Sequence, residues 1–261
     1  FTLVTDYYRD HGVGMFGLNK AFRIKSGANG VELMPIYNTD KVMLDDLVGY
    51  EAEKAQLRGN TEAFLAGRSA NNALLYGDAG TGKSSTVKAV GNELRDQGLR
   101  ILEVRKDQLR ELPWVLDELS CNPLKFILFI DDLSFQKDDD DFSALKAILE
   151  GSVSARSRNV VIYATSNRRH LVKETFSDRD GDDIHRNDTM QELLSLSARF
   201  GLSIRFEKPN KALYLEIVHE LAKKKGIEID PAELDTRAEA FALNRGHRSA
   251  RCAEQFIDSL L

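Results

Sequence analysis

Residues 73–84 read Ala-Leu-Leu-Tyr-Gly-Asp-Ala-Gly-Thr-Gly-Lys-Ser, and their reading decides the fold. Ala73 to Tyr76 is a short apolar run of the kind that forms a buried strand, and the residues after Lys83 are helix-forming. Between them, Gly77 to Ser84 satisfies G-x-x-x-x-G-K-[ST] without a mismatch. Strand, glycine-rich turn and helix together make a phosphate-binding loop. Each part has a chemical task. Asp78, Ala79, Gly80, Thr81 and Gly82 curl the backbone so that successive N–H groups converge on phosphate oxygens. The helix beginning at Lys83 adds its unpaired first-turn amides and the positive end of its dipole. The Lys83 ammonium reaches the β- and γ-phosphates, the Ser84 hydroxyl can ligate Mg²⁺, and Ser85 is placed for the α-phosphate. The expected ligand is a nucleoside triphosphate.

Strands and helices alternate on both sides of this loop. Val87, Val90 and Leu94 fall at helical spacing after it, and Gly98 ends that helix. Ile101, Leu102 and Val104 predict a strand. From Asp107 the chain reads as helix in two pieces, because Pro113 lacks an N–H and starts a new helix most comfortably. Phe126 to Ile130 is continuously apolar, as a strand covered on both faces is. Phe142, Leu145, Ile148 and Leu149 mark another helix, Val160 to Ala164 another buried strand, and Ser203 to Phe206 a last one. A helix is also expected over Met190 to Ala198. This alternation predicts a three-layer α/β domain with a mostly parallel sheet, spanning residues 45–208. Residues 209–261 read as a small helical domain, in which Asp230-Pro231-Ala232-Glu233 is a strong helix start. Residues 1–44 form an N-terminal extension with a hairpin around residues 26–30, packed on the main domain. Gly12 to Gly17 formally matches the dinucleotide pattern G-x-G-x-x-G, but no buried strand precedes it and no clear helix follows, so a loop is expected.

The chain has 261 residues, 42% hydrophobic and 30% charged, with a net charge of −5. That suffices for a large domain plus a small one, and it argues against an overall basic nucleic-acid binder. No apolar run approaches the length of about 20 residues that a membrane helix needs. Phe1 in place of Met fits a fragment or processed chain. Cys121 and Cys252 fit no metal or redox spacing, and each reads as a small packing residue in a reducing, cytoplasmic setting.

Three further positions carry chemistry. Asp131 ends a buried strand at the edge where ligands bind in open α/β sheets, and can hold Mg²⁺ beside Ser84. Asp132 can orient and polarise an attacking water, or serve as a capping residue. Asn167 ends the next strand, where its amide can hold that water or the γ-phosphate; a strand-end Asn is otherwise a turn residue. The acidic run Asp138 to Asp141 reads as a solvated loop. Asp178 to Asp183, within a charged loop over residues 177–188, lacks the glycine and glutamate positions of a calcium loop. Arg156, Arg158, Arg168, Arg169 and His170 read as a surface or subunit-contact rim, without the aromatic residues that base stacking needs.

In this order, Gly77 to Ser84, Phe126 to Asp132 and Asn167 resemble the AAA+ ATPases. Asp45 to Tyr50 resembles the segment with which that superfamily covers the adenine base, which implies contacts from Val48 and Gly49. Ser195 to Gly201 resembles the segment carrying the arginine finger, which implies that Arg199 acts on a neighbouring subunit's nucleotide. Gly246 to Arg251 resembles the second sensor of the helical domain, which implies that Arg251, with Arg248 as competitor, touches the γ-phosphate. The strings Phe129 to Phe135 and Tyr163 to Leu171 resemble, more narrowly, a bacterial AAA+ family of uncharacterised function with an N-terminal extension.

The resemblance implies ATP and Mg²⁺ as ligands, a homo-oligomer, an unidentified protein partner and no membrane. Two departures stand out. Asp132 replaces the usual glutamate, and Ala198 replaces the usual acidic neighbour of the finger. The expected function is an ATPase that remodels or assembles protein partners. The alternatives are an ATP-binding switch with little turnover and a nucleic-acid loader.

Overall fold

The computed structural model describes residues 7–8, 11–27, 30–134, 140–150, 158–167 and 198–261. Seven described strands form a sheet: β1 (Ala21–Gly27), β2 (Gly30–Pro35), β3 (Ala73–Gly77), β4 (Leu99–Val104), β5 (Lys125–Ile130), β6 (Val160–Ser166) and β7 (Leu202–Phe206), in the spatial order β2-β1-β4-β5-β6-β3-β7. Every neighbouring pair is parallel except β1 with β2. The described helices are α1 (Gly14–Leu18), α2 (Glu51–Leu65), α3 (Lys83–Leu94), α4 (Leu112–Ser120), α5 (Asp140–Glu150), α6 (Lys211–Lys224), α7 (Pro231–Arg245) and α8 (Ala250–Asp258).

The strands are apolar on both sides because both sides are covered. Along β5, Phe126, Leu128 and Ile130 join one core with Val115 and Leu119 of α4 and Leu145 of α5. Ile127 and Phe129 join the opposite core with Leu57 and Phe64 of α2 and Val87 and Val90 of α3. The hairpin pairs Ile24 with Leu33 and Ser26 with Val31, so the apolar residues of each strand share a face. It does more than pack on the main body. Residues 21–23 of β1 pair in parallel with residues 101–103 of β4 and extend the sheet.

Pro113 stands in the first turn of α4, after a 3-10 stretch over Lys106–Glu111. Asp230 accepts from the N–H groups of Ala232 and Glu233 to start α7, whose far end turns through Gly246. Helices α6, α7 and α8 bury Tyr214, Leu234 and Phe256 in a third core.

Two local expectations differ. The Gly12 to Gly17 stretch contains the five-residue helix α1. Its support is Arg100, a fully buried arginine and the second residue of β4. The guanidinium donates to the carbonyls of Phe16 (2.8 Å), His11 (2.8 Å), Leu99 (2.8 Å) and Arg95 (3.1 Å). Burial pulls its pKa below that of an ordinary arginine. Cys252 is buried in the helical core as expected, but Cys121 is exposed, because it is the C-cap of α4 and lies beyond that helix's packed face.

The Asp138–Asp139 part of the acidic run, Phe135, Arg156, residues 168–171 and the 177–188 stretch lie outside the described residues, as does most of the expected 190–198 helix.

Arg100→Met keeps the side-chain bulk and removes every donor. We expect it to lower unfolding stability by about 2 kcal/mol through stranded carbonyls, read by urea denaturation, with faster amide exchange over residues 11–18.

Candidate functional site

The phosphate loop is folded by contacts that leave glycine little alternative at Gly77. Its φ is +135°, and a Cβ there would lie 2.0 Å from the Phe206 carbonyl oxygen of β7. The Thr81 hydroxyl donates to Asp78 O (2.9 Å) and pins the turn. Lys83, Ser84 and Ser85 are the first three residues of α3, whose N–H groups have no intrahelical acceptor and point into the loop. The buried Lys83 ammonium donates to Gly77 O (3.0 Å) and Asp78 O (2.6 Å). Burial lowers its pKa, and Asp78, Asp132 and Asp131 oppose that shift, in falling order. The Asp78 carboxylate accepts from the Lys208 N–H (3.1 Å), tying the loop to the chain that leads into α6.

Asp131, Asp132 and Asn167 stand at the C-terminal ends of β5 and β6, beside this loop. Asp131 Oδ1 accepts from the Ser84 hydroxyl (2.5 Å), the Thr165 hydroxyl (2.5 Å) and the Asp132 N–H (3.1 Å). The Asp132 N–H also approaches Thr165 Oγ1 (2.9 Å), and Asn167 Nδ2 donates to Asp132 Oδ1 (2.7 Å). Asp132 has φ +52°, a left-handed conformation that Asp and Asn tolerate better than longer side chains. Thr165 was not singled out from the sequence. Its signal was only its place two residues before Asn167 at the end of an apolar strand.

The start of α8 meets the loop. The Arg251 N–H donates to Gly80 O (3.3 Å), and the Arg251 Cβ and Ser249 Oγ both lie 3.2 Å from where a Gly80 Cβ would be. Arg251 is close enough to Lys83 that its charge opposes the lysine's. Arg248 points elsewhere, into a two-bond pair with Glu239 (2.9 and 2.7 Å).

Val48 and Gly49 occupy the seam between the sheet domain and the helices. Val48 packs on the helical core, while Gly49, at φ +79°, would put a Cβ 2.5 Å from Leu213 Cδ1. Tyr50 follows at φ +58°, its ring against Phe206 and its hydroxyl donating to Glu207 O (2.6 Å). Burial, then nearby carboxylates, push that phenol up to about 12, so it stays a neutral donor.

Arg199 stands apart from this cluster. It lies three residues before β7, and β7 runs parallel to β3 with Leu202 beside Ala73 and Phe206 beside Gly77. Arg199 therefore precedes the end of the sheet at which β3 and β7 begin, whereas the loop follows the end at which β3 finishes.

Residues 18–261 match DUF815, a family described as a protein of unknown function. The chain belongs to the DUF815 family. Among solved structures, the DUF815 chain is similar to the Thermotoga maritima RuvB Holliday junction branch migration motor, with 16% identity and a TM-score of 0.50 over 84% of this chain and 72% of that one. It is also similar to the replication initiator DnaA bound to AMPPCP and single-stranded DNA, with 18% identity and a TM-score of 0.58. That match covers 86% of this chain and 66% of DnaA, just under two thirds of its length. The shared fold is that of the AAA+ P-loop ATPases. No curated relative matches in sequence. Among the described residues, no helix is long and apolar enough to cross a membrane.

The donor set of the DUF815 site suits Mg²⁺. Ser84 Oγ and Asp131 Oδ1 are two hard oxygens 2.5 Å apart, and Mg²⁺ usually takes one or two protein oxygens and completes its shell with water and phosphate.

Two measurements check the seam. Gly49→Ala combines a positive φ with the Leu213 overlap, and should cost at least about 1 kcal/mol in urea unfolding. Asp46 accepts from the Met43 N–H and from Lys224 of α6, and these bonds, in that order, depress its pKa. Its contribution is therefore present above the unfolded carboxylate pKa of about 4 and is lost as pH falls through the lower folded value. The stability gap between wild type and Asp46→Asn should accordingly narrow in acid, as followed by unfolding midpoints.

Proposed function

We propose that the DUF815 chain is an ATPase that couples ATP binding and slow hydrolysis to movement of its helical domain, within a homo-oligomer that assembles or remodels protein partners. The observation that carries this reading is the hydrogen-bonded run from Ser84 through Asp131 and Thr165 to Asp132 and Asn167, at the mouth of the phosphate loop. It joins a phosphate cradle, a metal ligand pair and a water-orienting carboxylate in one line.

ATP would lie with its phosphates on Gly80 to Ser85 and its base near Val48 and Gly49. Lys83, which donates to the carbonyls of Gly77 and Asp78, would turn to the β- and γ-phosphates and offset their charge. Ser84 and Asp131 would hold Mg²⁺, which would offset the negative charge of the phosphates. Asp132 and Asn167 orient the attacking water. Phosphoryl transfer needs little covalent help, so position and charge supply most of the rate.

Arg251, at the loop, reports the γ-phosphate to the helical domain, whereas Arg248 is engaged by Glu239. Arg199, which precedes the start of β7 rather than the end of the sheet that carries the loop, would serve a neighbour's site. The nucleotide analogue bound by DnaA and the motor role of RuvB support an ATP-driven reading of the shared fold.

A second reading, a switch that binds ATP with little turnover, is favoured by one contact. The Asn167 amide donates to one of the two Asp132 carboxylate oxygens, Oδ1, which makes that carboxylate a weaker base. A nucleic-acid loader is the weaker reading for a chain of net charge −5.

ATPase rate against protein concentration tests the proposal, and turnover absent at every concentration would leave only the switch. Lys83→Ala should abolish ATP binding in calorimetry. Asp132→Asn should keep binding and lower kcat at least about 100-fold, the usual worth of a general base. Arg199→Ala should lower kcat by more than about 100-fold and remove its rise with protein concentration; a variant that kept that rise would put the finger elsewhere.

A further inference from the structure

Lys54 is 6% exposed, a rare degree of burial for a lysine. It stands in the first turn of α2, where the helix dipole disfavours a cation. Something must offset both costs. The ammonium donates to Leu47 O (2.6 Å) and Leu44 O (3.3 Å), and pairs with Glu51 Oε1 (2.6 Å). A buried charge persists only with such a set of acceptors. The side chain thus reaches back across the start of its helix and grips the segment that precedes it.

That segment is held from other sides too. Asn92 Nδ2, near the end of α3, donates to Asp40 O (2.9 Å) and Val42 O (2.8 Å), while Glu93 accepts from the Leu44 N–H (3.1 Å). Lys224 of α6 donates to Asp46 Oδ1 (3.2 Å) and Asp45 O (3.3 Å). Lys54 alone takes the Leu47 carbonyl among these, and that carbonyl shares a rigid plane with the Val48 N–H. With the oxygen drawn toward Lys54, the Val48 N–H must face the opposite way, away from that lysine. Val48 and Gly49 thereby present a fixed backbone edge, of the kind that reads a purine's ring nitrogen and exocyclic amine.

We propose that Lys54 is a positioning residue for base recognition: it fixes the Leu47–Val48 peptide so that the nucleotide's base, not only its phosphates, contributes to binding. This rests on the nucleotide site proposed above. Lys54 touches neither phosphate nor base, so its effect is confined to the part of the affinity that the base supplies.

The experiment is calorimetry of MgATP and of magnesium tripolyphosphate, which has the phosphates without the base, on wild type, Lys54→Gln and Lys54→Arg. Wild type should bind ATP at least about tenfold tighter than tripolyphosphate. Lys54→Gln should lose most of that ratio through weaker ATP binding, with tripolyphosphate changed by less than about twofold. Lys54→Arg, which keeps the charge but not the compact three-way donor, should fall between. A merely structural role would weaken both ligands together, and that result, or an unchanged ratio, overturns the inference. If Lys54→Gln does not fold, Lys54→Arg decides by the same ratio: a drop of about threefold supports the role, and none overturns it. Wild type binding neither ligand would defeat the nucleotide site itself, and wild type binding both equally would defeat base recognition while leaving the phosphate loop standing.

Discussion

One carboxylate oxygen, Asp131 Oδ1, takes hydrogen bonds from the Ser84 hydroxyl, the Thr165 hydroxyl and the Asp132 N–H. These donors come from the helix after β3, from the end of β6 and from the turn after β5. The sheet order, with β6 between β5 and β3, makes the convergence possible. Without the negative charge to gather them, two hydroxyls and an amide at strand ends would turn to water, and the loop's helix would lose its register with the neighbouring strands. The same charge, behind those of Asp78 and Asp132, also raises the pKa of buried Lys83 against the larger effect of its desolvation.

Much of this was legible before any coordinates. An apolar run covered on both faces has one appearance in sequence, and β5 divides its side chains between two cores as that pattern requires. The glycine-rich loop was legible because few backbones other than that one need its residues. What escaped the reading was polar burial. Arg100 sits in a mostly apolar strand, and nothing local says whether such an arginine faces water or four carbonyls contributed partly by residues about 85 positions earlier. Long-range acceptors leave no short-range trace. Lys54 did leave one: it falls in helical register with Leu57, Thr61 and Phe64, all buried, so a lysine on the covered stripe of α2 was there to be read. Cys121 shows the converse error, since small size alone does not bring a residue inside. The pairing of Arg248 with Glu239, nine residues earlier on α7, is likewise a contact that periodicity cannot announce.

The hairpin shows how local pattern and topology part company. Alternation in β1 and β2 announced two strands and a turn. It could not announce that β1 would lie parallel to β4, because parallel pairing is chosen by the fold's layers and by which sheet edge is open. Adding the hairpin moves that edge outward, to β2, and lets Phe22, Ile24 and Leu33 enlarge the core on the side of α4 and α5.

Helix α3 begins at the phosphate loop and, near its end, Asn92 and Glu93 hold residues 40–44. A 12-residue helix is a stiff rod about 18 Å long. A tilt imposed at one end by an arriving phosphate would therefore be delivered, lever-fashion, to the strap at the other. Through Lys224 that strap is moored to the helical domain as well. The chain thus contains a closed mechanical loop: phosphate cradle, rod, strap, helices, and back to the cradle through Arg251 and Gly80. Slack in any one joint would be felt in all of them.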